Sequence, residues 1–414
     1  MMVKRVSCSL YAFVLCFVGR FRATKQHGSI TYPPPRNAID SDEKPWSNPV
    51  PLSVPFEPWC PFPSATASAS DPGRNLTGAN GQACFWFSNG CAIGCDSCDG
   101  STRGPIPAFS GNPLRPIPGH IDSGTGKVVS KESICPEKKA KAAICDKALR
   151  TVNTAAECGS PDDFFYYSPW RNPGTSAVID ACGSAGGRLK GQPGGQYGAV
   201  YKNTSHAKIG DYGSETLPHI PSGIVFKAGS DVDVSWALQA NHGGGYSYRI
   251  CPADQKLTEN CFQRTPLDFS TNYSTFRWGG MCSLKKIFFI FLTCFFIIGV
   301  EGTMHSFPAI DFVSPESGAT WRKNPVPRAW RNSDGTFPKE SNHLQTGEGF
   351  QPNCPNENNL TCTGMWGPYN LEIVDKVRIP KDLEPGNYVI GWRWDCEESN
   401  QIWSSCSDIS IIAA

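Results

Sequence analysis

The chain carries almost no net charge, with 38 lysines and arginines against 37 aspartates and glutamates over 414 residues. So even a balance gives no basis for nucleic acid or an anionic membrane surface as partner. Histidine is scarce, seven in all, and no stretch repeats at a fixed period. Apolar runs are short as well. The greasiest, inside "MCSLKKIFFIFLTCFFIIGVEG" (281–302), is apolar from Ile287 to Val300 apart from Thr293 and Gly299. That falls short of the roughly 20 residues a membrane-spanning helix needs.

What the chain has in quantity is 19 cysteines, 35 prolines and 41 glycines, the composition of a loop-rich, crosslinked protein. Residues 1–26, "MMVKRVSCSLYAFVLCFVGRFRATKQ", place Lys4 and Arg5 before an apolar run, the layout of a secretory signal. Secretion follows as an expectation, with cleavage before His27; Ala23 is a competing exit that would leave His27 internal. Sequons at Asn75, Asn203, Asn272 and Asn359 agree with the secretory route and predict surface glycosylation. In an oxidising compartment cysteines form disulfides, so the patch holding Cys84, Cys91, Cys95 and Cys98 reads as stapled loops rather than a zinc site. Setting aside Cys8, Cys16, Cys282 and Cys294 in greasy segments leaves an odd number. One thiol then stays unpaired or joins one of those four.

Short runs such as "GIVFKAG", "DVDVSWAL", "GYSYRIC", "YNLEIVDKVRIP" and "GNYVIGWRWDC" are separated by Gly, Pro, Asn and Asp, the pattern of strands. Residues 131–158 are the best helix candidate. The predicted fold class is all-β, an immunoglobulin- or fibronectin-III-like β-sandwich with long disulfide-stapled loops and a short helical insertion. It forms one domain over 27–414, interrupted at 281–302 by a segment foreign to the fold, such as a translated intron. A membrane anchor there would place the final strands on the far side from His27.

An amino-terminal histidine offers one metal ion two nitrogens, its amine and imidazole Nδ1. Copper(II) prefers nitrogen ligands in a planar or T-shaped array, and the metal encourages the amine to shed its proton. A second imidazole completes the set. His242, in "LQANHGGGYSYRIC", is the candidate, held in a turn between two strands.

His27-Gly28 with the following "PPPR", then "NHGGGY", then "GWRWDCEESNQIWSSCSDI", resemble the lytic polysaccharide monooxygenases. The likeness is to the long, cysteine-rich members with a type-4 chitin-binding domain in oomycetes and algae, and it covers most of 27–414 outside 281–302. It implies a copper histidine brace from His27 and His242, with Gln401 hydrogen-bonding an oxygen species and Trp403 at the axial side. Trp403 departs from the family's usual tyrosine or phenylalanine and brings no phenol oxygen. Cys406 would be a disulfide anchor. The resemblance further implies an external electron donor, O2 or H2O2 as co-substrate, and hydroxylation at C1 or C4 of an insoluble polysaccharide such as chitin or cellulose, by a monomer. Two other readings stay open: a non-catalytic carbohydrate-binding protein, and a copper-binding protein without oxygenase activity.

Tyr32 and Tyr246 lie near the histidines in sequence and are candidates for a sugar-contacting surface, with core packing the alternative. His120, His206, His219, His305 and His343 read as solvated loop residues. Asp395, Glu397 and Glu398 read as a solvated strand end rather than a glycosidase pair.

Overall fold

A computed structural model describes residues 27–40, 85–89, 169–171, 173–174, 176, 178–187, 201, 203–220, 222–240, 242–278, 304–314, 318–326, 371–397 and 401–414. The signal sequence 1–26, the cysteines from Cys84 to Cys98, the helix candidate 131–158, segment 281–302, Asn75, Asn359, His120, His343 and Glu398 lie outside them.

The strands are β1 (His27–Tyr32), β2 (Trp86–Asn89), β3 (Ser184–Ala185), β4 (Val225–Lys227), β5 (Asp231–Ala240), β6 (Gly245–Pro252) and β7 (Pro266–Phe269). There follow β8 (Tyr273–Trp278), β9 (Met304–Pro308), β10 (Asp311–Val313), β11 (Thr320–Lys323), β12 (Leu371–Arg378), β13 (Gly386–Asp395) and β14 (Gln401–Ile412). Two short α-helices, α1 (Gly213–Thr216) and α2 (Glu259–Gln263), and two 3-10 turns, Arg36–Asp40 and Pro169–Arg171, complete the described elements. The all-β class expected from the sequence is the class observed, and the five strand-like runs become β4, β5, β6, β12 and β13.

The strands form one curled sheet in the order β1-β5-β12-β7-β6-β13-β14-β2-β3. Its pairings are antiparallel except for β4 beside β14. β7 is the corner: Phe269 and Asp268 pair with β12, while Leu267 and Pro266 pair with β6. At the other margin Ile30 donates its backbone N–H to Ser405 Oγ at 3.0 Å, and Pro35 bridges Ser407. The two halves of the sheet therefore meet at both sides around one core.

Alternation explains β5, where Val232, Val234 and Trp236 are buried while Asp231 and Asp233 reach solvent. β13 is different, because both its faces are covered. Tyr388, Ile390, Trp392 and Trp394 join the main core, and Val389 faces a second cluster with Phe262 of α2. A Cβ on Gly391 would meet the Phe262 ring at 2.9 Å, so the strand needs glycine where α2 crosses it. Trp236 packs on Trp392 and Trp394 at ring distances of 5.1 and 5.4 Å. Burying each such side chain contributes about 1.5–3 kcal/mol or more, which makes these indoles large contributors to the stability of the interior. Disulfides Cys182–Cys406 and Cys251–Cys261 tie flanking segments to β14 and β6, and the first bears out Cys406 as an anchor.

The acidic run departs from expectation. Asp395 and Glu397 are fully buried, not a solvated strand end. Asp395 takes a two-pronged bond from Arg393 at 2.7 and 3.1 Å and accepts the Gly174 N–H at 3.0 Å. Such burial is tolerable because the pair is hydrogen-bonded on every side. Across 279–303, Arg277 of β8 pairs with Met304 of β9, so the chain leaves and rejoins the same sheet. Strands on both sides of that segment thus lie on one side of any membrane. Among the described residues no helix is long and apolar enough to cross one.

Candidate functional site

Register brings the two candidate ligands to one end of the fold. His27, the first residue of β1, pairs with Ala240, the last of β5, and His242 follows two residues later. Neighbouring strands lie about 5 Å apart and two extended residues span about 7 Å, so the two backbones are about 1 nm apart or less. The side chain of His27 lies outside the described part of the structure. His242 is 6% exposed.

β14 reaches the same end. Ile30 bonds Ser405, and Pro33 O accepts from Ser407 Oγ at 2.8 Å, so β1 and β14 run in the same sense where they touch. Their first residues, His27 and Gln401, accordingly lie at one pole. Gln401 is 5% exposed and its backbone carbonyl accepts the Cys396 N–H at 3.2 Å. Trp403 is wholly buried, stacked on Phe87 at 4.4 Å.

The turn that carries His242 has a backbone only glycine accepts. Gly243 and Gly244 have φ of 62° and 83°. A Cβ on Gly244 would lie 2.0 Å from Asp395 O, and one on Gly245 would lie 2.0 Å from the Trp170 ring. Three successive carbonyls are held from outside. His242 O accepts from Glu397 N at 3.1 Å, Gly243 O from Trp394 Nε1 at 2.8 Å, and Gly244 O from Asn324 N at 2.8 Å. The triple glycine is the sequence feature that could have pointed to this close approach, while the partners from β13 and beyond β11 leave no mark on the sequence around it.

The remaining candidates separate. Tyr246 is entirely buried in the core, and its phenol donates to Asp375 at 2.7 Å, so it presents no face to a sugar. Burial, with Asp375 beside it, pushes that phenol well above its ordinary pKa and keeps it a neutral donor. Tyr32 is half-buried against the core, its pKa raised by burial and by Asp233. Asn203 and Asn272 are exposed; Asn203 Oδ1 accepts the Ile209 N–H at 2.8 Å. His206 and His219 are exposed, the latter 3.9 Å from Asp408, while His305 belongs to β9 rather than to a loop.

No family model matches the chain, and no curated protein does. Among solved structures it pairs with "Lytic Polysaccharide Monooxygenase AA15" from Thermobia domestica at 13% identity and a TM-score of 0.21, over 48% of this chain and 67% of that one. A chitin-binding domain from Burkholderia pseudomallei pairs at 10% identity and 0.21, over 46% and 56%. An AA10 lytic polysaccharide monooxygenase from Streptomyces lividans pairs at 11% and 0.18, over 47% and 60%. The chain thus spans about two thirds of the first of these and less of the other two.

Proposed function

We propose that the chain, trimmed before His27, is a secreted copper-dependent monooxygenase that cleaves a structural polysaccharide of the chitin or cellulose type. The observation that carries this reading is the pairing of His27 with Ala240, two residues before His242, at the pole where Gln401 also begins its strand. The donor set suits the metal, since two imidazoles and one amine make the nitrogen array that Cu(II) prefers. Among the described residues no group of three or more His, Cys, Asp or Glu side chains could hold a metal ion, and a brace requires none. The cradle around Gly244 favours the same reading, because it gives His242 a mount that cannot relax outward.

Bound copper would supply one-electron redox chemistry toward O2 or H2O2, primed by an external electron donor. The chain's own groups do the rest. The His27 amine must be neutral to offer its lone pair, and the ring nitrogen of His242 that binds must be unprotonated for the same reason. Gln401 Nε2 is a hydrogen-bond donor for the oxygen co-substrate. Trp403 shares its strand face two residues on and, stacked on Phe87, excludes water without supplying a phenol. Asn203 and Asn272 are the glycan acceptors we assign among the described residues.

The test is made on protein recovered from a secreting host. Mass spectrometry should find His27 at its amino terminus, and one copper per chain should bind. Incubation with chitin or cellulose should release oxidised oligosaccharides only when a reductant is added. Polymer binding without copper uptake would replace this reading with a carbohydrate-binding module. Tight copper without oxidised product would replace it with a copper carrier, and a mature chain starting at Thr24 or earlier would remove the amine ligand.

A further inference from the structure

The His242 turn is built from residues with little conformational preference of their own, since His242 is followed by Gly243, Gly244 and Gly245. Glycine leaves φ and ψ free, so the direction in which the imidazole leaves the backbone is decided by whatever grips the turn. Among the described residues, two backbone amides, Glu397 N and Asn324 N, bond its carbonyls. A side chain does so as well, the indole Nε1 of Trp394, at 2.8 Å from Gly243 O.

That indole is itself immobile. Trp394 is fully buried in β13, opposite Trp403 on one neighbour and Tyr246 on the other. Its ring lies 5.4 Å from Trp236, 6.3 Å from Trp392 and 6.5 Å from Trp403. Turning it would displace the centre of the core, so its N–H has a fixed aim. Trp392, two residues earlier on the same face, is a natural contrast: it is equally buried, and its Nε1 has no hydrogen-bond partner.

We propose that Trp394 is a positioning residue for His242, transmitting the rigidity of the aromatic core through its indole N–H to the Gly243 carbonyl and so to the orientation of the imidazole. The inference rests on the copper-brace reading for its consequence but not for its geometry. With that bond gone, Gly243 loses its side-chain anchor while the backbone bonds to His242 O and Gly244 O remain, so the turn loosens locally and ordering the imidazole then opposes metal binding. Partners that orient a metal-bound histidine typically change affinity about 10- to 100-fold when removed.

The experiment compares Trp394→Phe with Trp392→Phe. Each keeps an aromatic ring in the core and removes one N–H. For Trp394→Phe, Cu(II) affinity by titration should fall about tenfold or more, with a changed electron paramagnetic resonance spectrum. Trp392→Phe should match the parent protein in both. In metal-free protein, the His242 imidazole should give one sharp nitrogen resonance in the parent and in Trp392→Phe, and a broadened or split one in Trp394→Phe. Equal affinities, spectra and imidazole resonances for the two variants would overturn the positioning role. If the parent takes up no copper, the functional reading falls, and the metal-free resonances alone decide whether Trp394 orients His242.

Discussion

Arg322 and Asp375 face each other 2.8 Å apart, with neither side chain reached by solvent. The same carboxylate accepts from Tyr246 at 2.7 Å and Ser274 at 2.6 Å, and the guanidinium lies 4.0 Å over the Phe269 ring. Five strands, β6, β7, β8, β11 and β12, contribute to this cluster, so it ties the two halves of the curled sheet together through the interior. Removing Asp375 takes away the acceptor of the Tyr246 and Ser274 hydroxyls and leaves the buried Arg322 to its more exposed partner Asp311 and backbone carbonyls. Asp375→Ala should therefore destabilise the fold by about 3–5 kcal/mol, read in urea unfolding. A loss near 1 kcal/mol would mean that the cluster is solvated in practice.

His242→Ala tests the metal reading without touching the core. The imidazole is only 6% exposed but belongs to none of the apolar core clusters among the described residues, so circular dichroism should be unchanged while Cu(II) affinity falls by orders of magnitude. An unchanged titration would assign the second imidazole elsewhere.

Gly244 tests the mount itself. Gly244→Ala must accommodate a φ of +83° and a Cβ 2.0 Å from Asp395 O, whereas Gly318→Ala has a φ of +66° and nothing within 4 Å. The second variant should cost only about 1–2 kcal/mol of backbone strain. The first should cost clearly more, because backbone cannot step aside as a side-chain tip can, and it should lose copper binding as well. Similar melting temperatures for the two would refute the close approach.

Two buried acids give the fold a defined response to pH. Burial pushes Asp180 up to about 6, against opposing hydrogen bonds from Ser214 and Cys182. An acid whose pKa is raised on folding favours the folded state while both forms are protonated. Its contribution is lost as pH rises from about 4, the unfolded value, through 6. Glu259 behaves oppositely. Burial would raise it, but Arg249 and Arg393 outweigh that and bring it down to about 2. Its contribution is full above the unfolded value of about 4.3 and fades as pH falls toward 2. Unfolding midpoints across pH should fall on both flanks. Asp180→Asn should flatten the 4-to-6 limb, and a limb of unchanged slope would rule out Asp180 as its source.

Excision of 281–302 is the last test. Because Arg277 pairs directly with Met304, a short turn joining the two should preserve β8 and β9. The shortened chain should express in soluble form with the parent's stability. Collapse of the fold would show that the segment packs against it.

Alternating and apolar runs made β5, β12 and β13 legible, since period-two burial is written in the residue types themselves. The short β10 (Asp311–Val313) and the corner strand β7 carry no such pattern, because long-range pairing, and not local propensity, holds them in the sheet. The acidic run misled for a related reason. Whether Asp395 meets water or Arg393 depends on a neighbouring loop and helix that no window around it contains.

The sequence by itself determined the all-β class and nominated His27 and His242, because strand alternation and a scarce residue type beside a glycine run are local properties of the chain; Gln401 entered only through the family resemblance of its strand. Only the tertiary structure decided that the starts of β1 and β14 and the end of β5 share one pole, and that Tyr246 belongs to the core. Register and burial arise from contacts between segments hundreds of residues apart in the chain, such as Ile30 with Ser405, and those exist only once the sheet has closed.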